Sequence, residues 1–595
     1  MHKFSVWAPK AKTIAVKLDA EAYPMDGPDE KGYWSCSAEA ARAGSDYAFL
    51  LDGDPIPYPD PQGAWQPHGV HGASRIVDHS AFCWTDQSWQ APPLETAILY
   101  ELHVGTFTPQ GTFDGVIERL NYLLALGITH IQLMPIAEFP GEFGWGYDGV
   151  SLFAVRHQYG GPDGLKRLVD ACHQRGLAIL LDVVYNHFGP VGNYTNKFGF
   201  YQSDRHRTPW GEAINFEGRG SDEVRRFFCD NALMFLADYH FDGLRLDAVH
   251  EFIDRSAIHF MEQLTIEVEA LSRKLRRRLS LIAESDLNDP RLVTRRDQGG
   301  YGMDAQWNDD FHHALFTVLY GAERTGYYRD FGSLAVLVQA LQHAFVYRGQ
   351  YSLYRGHSHG RPTDGLPLHR FIGFIQNHDQ VGNRAKGDRL EHLIGMSLSK
   401  VAAGLVLTAP FIPMLFQGEE FAASNPFQFF AHHEDEEMAK AISTGRKRDF
   451  AAFGWSPDAI PEPESRATLD RSKLNWDETA KPQHEEMLAW YTQLIHLRRT
   501  TPCLNDGDRS NTQITFDEAG RWLIMQRGSI QILCNLGEQE QTIQCKPNSS
   551  LLLASAVNLR LEKSNVLLPA HSLAITCWNA DFRRHGPFEE SNPKA

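Results

Sequence analysis

The chain has 595 residues, 43% apolar and 22% charged, a composition that fits globular domains and excludes a disordered or fibrous protein. The length exceeds one ordinary core and suits a barrel of about 250 residues or more with flanking domains. Lys and Arg number 57 against 74 Asp and Glu, and the formal charge of −17 disfavours nucleic acid and anionic lipid and suits a neutral partner.

Met1 leads directly into Phe4-Ser5-Val6-Trp7-Ala8-Pro9, with no signal-peptide pattern, and no uninterrupted apolar run reaches about 18 residues, so a cytoplasmic protein without a membrane partner is expected. Residues 1–92 predict a small β-sandwich from alternating runs such as Thr13 to Leu18 and Tyr47 to Leu51, with Asp52-Gly53 as a turn. The Pro-rich stretch 55–67 and Ala91-Pro92-Pro93 are its candidate linkers.

Residues 93–500 alternate apolar strands with amphipathic helices, the mark of βα units. Strands are predicted at Ile98 to Val104, Thr129 to Met134, Ala178 to Val184, Gly243 to Asp247, Leu279 to Glu284, Met303 to Trp307, Phe371 to Gln376 and Phe411 to Phe416. Helices are predicted at Phe113 to Leu126, Gly164 to Gln174, Glu223 to Tyr239 and Arg389 to Ala403. The fold class is therefore multidomain α/β, a (β/α)8 TIM barrel between two β domains, with a long excursion after the third strand. Residues 501–595 form the C-terminal β domain, from pieces such as Trp522 to Met525 and Leu573 to Trp578. The basic run Arg273 to Arg278 reads as a solvated helix end, and eight dispersed cysteines suggest neither a disulfide framework nor a zinc site.

In such barrels the loops after the strands' C-terminal ends build the active site. Four strands here end on polar groups in sequential register: Leu181-Asp182-Val183-Val184-Tyr185-Asn186-His187, Arg245-Leu246-Asp247-Ala248-Val249-His250, Ile282-Ala283-Glu284, and Gln376-Asn377-His378-Asp379. Arg245 stands two residues before Asp247, on the same strand face, where its charge can hold that carboxylate ionised. A single such carboxylate could be a structural partner of an arginine or a helix cap, but four in register point to chemistry.

These segments, in this order, resemble the four signature regions of the α-amylase family of glycoside hydrolases. The resemblance implies Asp247 as nucleophile, Glu284 as general acid/base and Asp379 as a third carboxylate that binds sugar hydroxyls. It implies that His187 and His378 bond the same glucose, and that Tyr147 and Asp148 in Phe143-Gly144-Trp145-Gly146-Tyr147-Asp148-Gly149 supply an aromatic platform. On that reading Glu284 stays protonated with a raised pKa, and the pair lies about 5 Å apart, the retaining spacing. Asn186 occupies a position that ligates calcium in many amylases, but no Asp-rich cage accompanies it, so no metal and no cofactor are expected.

The N-terminal domain ahead of the barrel resembles the carbohydrate-module-like sandwiches of branching enzymes, isoamylases and trehalose-releasing hydrolases. Smaller motifs are similar to maltooligosyltrehalose trehalohydrolases: Gln66 to Gly72, Gly189 to Tyr194, Thr208-Pro209-Trp210-Gly211, Glu284 to Arg291, Asp304 to His313, His378 to Arg384, Gln417-Gly418-Glu419-Glu420-Phe421 and Phe450 to Trp455. The substrate implied is maltooligosyltrehalose or a related α-glucan, supplied by a maltooligosyltrehalose synthase. Candidate substrate-binding residues are His250, Asp309, Asp310, His312, His313, Gln380, Asn383 and Arg384, with Arg245, while Phe427 to Phe430 could contact trehalose or form a packed aromatic cluster. Alternatives are a glycogen branching or debranching enzyme and, in another class, a non-catalytic glucan-binding protein, which the presence of all three carboxylates and Arg245 disfavours.

Overall fold

The structure, a computed structural model, describes residues 2–321, 325–451 and 455–578. Ala452 to Gly454 of the Phe450 to Trp455 motif and residues 579–595 of the expected C-terminal domain lie outside the described residues.

Eight parallel strands close into a barrel in chain order: β1 (Leu99–Leu102), β2 (His130–Leu133), β3 (Ala178–Val183), β4 (Gly243–Leu246), β5 (Ser280–Ala283), β6 (Ala305–Trp307), β7 (Phe371–Gly373) and β8 (Ile412–Phe416). All eight match predicted strands. Each is covered on both faces, so it reads as a near-continuous apolar run, and that makes parallel strands legible. Register then sets the site: Asp182 lies opposite Arg245, and Phe416 opposite Glu101, at the C-terminal ends of adjacent strands.

Two insertions rise on that face. After β3 the chain forms the antiparallel hairpin Gln202–Thr208 and Gly211–Ile214 before helix Ser221–Ala237. Between β6 and β7, helices Asp309–Tyr320 and Leu334–His343 lead into a second hairpin, Arg348–Ser352 with His357–Gly360.

The N-terminal residues build a four-stranded sheet (Glu21–Pro24, Ile14–Leu18, Asp46–Leu51, Ser74–Arg75) and a strand pair (His2–Trp7, Tyr33–Ala38), with Phe4, Val16, Trp34 and Phe49 in the core. This body docks on the excursion after β3, where the Lys10 amide donates to the Phe198 carbonyl (3.2 Å) and Tyr33 Oη to Glu223 (2.6 Å). At the C-terminal end a five-stranded sheet packs on helix Leu390–Thr408, and a three-stranded sheet packs against the five-stranded one through Ile543, Val566 and Leu568. A Cβ on Gly404 would lie 2.6 Å from Leu573, and Arg527 donates to the Thr408 carbonyl (2.8 Å), one of the orphan acceptors at the helix end. Leu390–Thr408 is long and apolar enough to cross a membrane by length and composition, and half of its apolar window is buried against the protein.

The Arg273 to Arg278 run is not simply a solvated helix end. Arg277 turns inward, donating to Asp242 (3.1 Å) at the barrel's N-terminal end.

Candidate active site

The C-terminal ends of β3, β4 and β5 converge on one buried guanidinium. Arg245 Nη1 donates to both oxygens of Asp182 (3.0 and 2.8 Å) and to Asp247 Oδ1 (2.7 Å), while its Nη2 stands 3.5 Å from Glu284 Oε2. The Trp307 ring of β6 underlies the cation at 4.1 Å. With no exposed surface and three carboxylates around it, this arginine is pinned in place and in turn fixes their spacing.

Asp247 and Glu284 are each held from a second side. Asn186 Nδ2 donates to Asp247 Oδ2 (2.8 Å) and to the Asp247 carbonyl (2.9 Å), so the amide serves the carboxylate, and no group of three His, Cys, Asp or Glu arranged for a metal occurs among the described residues. Ala248 adopts a left-handed conformation (φ 42°), rare for a residue with a Cβ, and its N–H donates to Glu284 Oε2 at 2.7 Å. That bond occupies Oε2 and leaves Oε1 as the atom to carry a proton. Burial pushes the Glu284 carboxyl up, with Asp247 adding to the rise against the pull of Arg245.

Asp379 opens the short helix His378–Gly382, whose N-cap is Asn377. Its carboxylate is part-exposed and accepts from Asn383 Nδ2 (3.1 Å), with His378 Nε2 3.6 Å away. Sequence reading missed the partner of His378: Glu101 of β1, which accepts from the His378 N–H (2.9 Å) and lies 2.7 Å from its Nδ1. Burial alone would lower the His378 pKa, but Asp379 and Glu101 raise it to about 9. Tyr147 stacks on the His378 ring (5.0 Å, 22°) and donates to Asp182 (2.7 Å). His187 is kept neutral by burial and lies parallel to the half-exposed Trp210 at 5.3 Å. Asp148, its pKa raised by burial, lies in the fields of His433 and His187.

A cavity of 220 Å³ continues from Asp379 on the Glu284 side, lined by Asp286, Asn288, Asp309, Asp310, His313, Gln380 and Asn383 and by Tyr327, Tyr347, Tyr354 and Arg355 of the β6–β7 insertion. Gln380 Nε2 donates to Asp309 (3.3 Å), and its buried Oε1 has no partner in the protein. His250 stands at the rim, 3.9 Å from Asp286.

Three expectations need correction. Asp310 Oδ2 is taken by the N–H groups of Val346 (2.6 Å) and Tyr347 (3.1 Å) and by Asn288 (2.7 Å), so it clamps the insertion rather than offering a free carboxylate. His312 is buried between Phe316 and Phe374, one helical residue away from the cavity-facing His313. The Arg384 guanidinium lies among the rings of Phe316, Tyr320 and Trp455, outside the cavity lining. Of the two readings left open for Phe427 to Phe430, the structure shows the packed cluster: Phe427 and Phe430 pack with Phe143, Trp145 and Phe416, and Phe429 packs against its edge. Gln417 is buried between the His103 amide and Thr106.

The alpha-amylase catalytic-domain family matches residues 77–208, and a domain of unknown function (DUF3459) matches residues 507–575. A malto-oligosyltrehalose trehalohydrolase from Rhizobium sp. (strain M-11) is 45% identical over 580 residues, covering 96% of this chain and 97% of its own. The enzyme of that name from Mycobacterium tuberculosis (strain CDC 1551 / Oshkosh) is 45% identical over 581 residues, 97% and 99% of the two chains. A crystal structure of a Salmonella typhimurium protein assigned as an alpha amylase superposes with a TM-score of 0.87 at 35% identity, covering 97% of each chain. By that extent of identity along nearly its whole length, the chain belongs to the malto-oligosyltrehalose trehalohydrolase family.

Proposed function

We propose that this chain is a retaining glycosidase that cleaves the α-1,4 bond next to the terminal trehalose of maltooligosyltrehalose. Asp247 attacks the anomeric carbon from the face opposite the departing oxygen while Glu284 Oε1 gives that oxygen its proton. Trehalose leaves, and the glucan remains as an ester on Asp247. Glu284, now a carboxylate, takes a proton from water as the water oxygen attacks the same carbon, which frees Asp247 and restores the α configuration. Arg245 and Asn186 hold the nucleophile's oxygens through both steps, acting where charge moves.

The observation that carries the specificity is the cavity on the Glu284 side. The acid protonates the departing group, so the space bounded by residues just after it in sequence, Asp286 and Asn288, is the leaving-group space. Its polar lining suits a disaccharide of hydroxyls. On this reading a maltooligosyltrehalose synthase supplies the substrate, and the chain makes trehalose in the cytoplasm.

Product analysis tests the proposal. A trehalose-capped maltooligosaccharide should yield trehalose and a shortened glucan, with kcat/KM about 30- to 1000-fold above that of the uncapped chain, which equals roughly 2–4 kcal/mol of leaving-group binding. Asp247→Ala and Glu284→Gln should each lose several orders of magnitude in kcat. Equal kcat/KM on capped and uncapped chains would reduce the protein to a general α-glucanase, and α-1,6 branches formed from amylose would make it a branching enzyme.

A further inference from the structure

From outside the barrel a cation reaches the end of the short helix that carries the third carboxylate. Helix Glu436–Ala451 follows β8, and its Arg446 grips the end of helix His378–Gly382. Nη1 donates to Asn383 Oδ1 (3.0 Å) and Nη2 to the Gly382 carbonyl, while the guanidinium lies over Phe429 at 4.4 Å. Phe429 meets Trp145 edge-on (5.2 Å, 73°), and Trp145 packs so closely on the same helix end that a Cβ on Gly382 would fall 2.1 Å from its ring.

An asparagine amide has two ends of nearly equal size and opposite chemistry. A guanidinium only donates, so Arg446 forces Oδ1 toward itself and turns Nδ2 toward Asp379. The Asn383 backbone N–H already donates to the Asp379 carbonyl (2.9 Å), and the side chain adds the bond to Oδ1 of the carboxylate (3.1 Å). With the amide flipped, two oxygens would face each other and the carboxylate would swing away from the sugar.

We propose that Arg446 is a positioning residue for glycoside cleavage, setting the Asn383 amide so that Asp379 is held toward the substrate. This rests on the reading of Asp379 as the third carboxylate of the site. No contact between Arg446 and substrate is involved.

The test compares Arg446→Ala, Asn383→Ala, their double variant and Arg446→Lys, with Asp379→Asn as control and a thermal midpoint for each. Arg446→Ala and Asn383→Ala should each lower kcat about 10- to 100-fold, the range for losing one hydrogen bond to a charged group, with KM changed less than about threefold. The double variant should be no slower than Asn383→Ala alone, since both act through one bond. Arg446→Lys, still a donor to Oδ1, should recover most of the rate. Arg446→Met, which keeps the stem on Phe429, takes the place of an alanine variant that does not fold. A kcat within about twofold of the parent in Arg446→Ala or Arg446→Met, or losses that multiply in the double variant, would overturn the inference. Unchanged turnover in Asp379→Asn would instead overturn the reading of the site.

Discussion

Asp309 and Asp247 are both aspartates beside β strands of one barrel, and their surroundings give them opposite work. Asp247 has a guanidinium and an amide donating to its two oxygens. Among the described residues Asp309 has the Gln380 amide as its partner, and burial pushes its pKa well above the ordinary aspartate value, with Glu284, Asp379 and Asp310 adding to the rise. The rise favours the uncharged acid, which can donate to a sugar hydroxyl as well as accept from one. Asparagine has nearly the same shape and the same neutrality, so Asp309→Asn should keep kcat/KM on the trehalose-capped substrate within about threefold. Asp309→Ala leaves Gln380 without its partner and the cavity without a polar wall, and should cost about 10- to 100-fold. Steady-state kinetics decide, and an asparagine variant as damaged as the alanine one would mean that Asp309 works as an anion.

At the scale of elements, the opposite end of the barrel is closed by a strap, residues 84–90. Trp89 stacks on His173 of helix Gly161–Gln174 (4.7 Å, 14°), and Trp84 stacks on His240 (3.8 Å, 13°). His173 Nδ1 lies 2.7 Å from Asp86 and its Nε2 3.0 Å from Asp242, so both ring nitrogens face carboxylates, which favours the imidazolium. His240 also contacts Asp86 (2.8 Å), and Arg277 and Trp89 donate to the other oxygen of Asp242 (3.1 and 2.8 Å). Burial lowers the His173 pKa, but bonds to Asp242 and Asp86 outweigh it and leave the value raised. A histidine raised on folding contributes its full stabilisation below about pH 6.5 and loses it as pH rises through the folded value. The parent should therefore lose stability as pH rises above about 6.5, and His173→Gln should cost about 3 kcal/mol at pH 6 and less at higher pH, read at pH 9. Chemical denaturation at the two pH values measures both, and an equal cost at each would exclude the imidazolium.

The same scale explains what could be read from sequence. The eight barrel strands were legible because each is a largely apolar run, and the candidate catalytic groups were legible because four of those runs close on polar residues. Glu101 was hidden within the strand Leu-Tyr-Glu-Leu, because its partner His378 is 277 positions away and only barrel closure joins them. The hairpin Gln202–Thr208 has no apolar residue to alternate, and Tyr347, Tyr354 and Arg355 of the cavity wall sit on an insertion with neither helical nor strand period. The misplacement of His312 has a simpler cause. Adjacent helical residues point about 100° apart, and the pair His312-His313 could not both face the cavity.

Across the whole molecule, the N-terminal body reaches the catalytic face through one contact surface. Trp7 is 5% exposed, and a Cβ on Gly199 would lie 2.4 Å from its ring, while Tyr201 meets it edge-on at 5.1 Å. Lys10 donates to the Asn196 carbonyl (3.1 Å), and His71 of the Gln66 to Gly72 motif lies 2.7 Å from Tyr194 Oη. All of these partners belong to the excursion that carries His187 at its start and Trp210 at its hairpin tip. The N-terminal body is thus the floor on which that side of the sugar site rests. Trp7→Ala removes most of the floor's packing and should cost about 3–5 kcal/mol of stability. If the hairpin shifts with it, Trp210 and His187 lose their alignment and KM for the glucan should rise about 3- to 10-fold while kcat, which the proposed mechanism assigns to Asp247 and Glu284 on the barrel strands, stays within about twofold; that is the pattern of binding lost equally from ground and transition states. A thermal midpoint and a full kcat and KM determination separate the possibilities. A lowered midpoint with unchanged KM would show that the N-terminal body contributes stability alone and leaves the substrate face untouched.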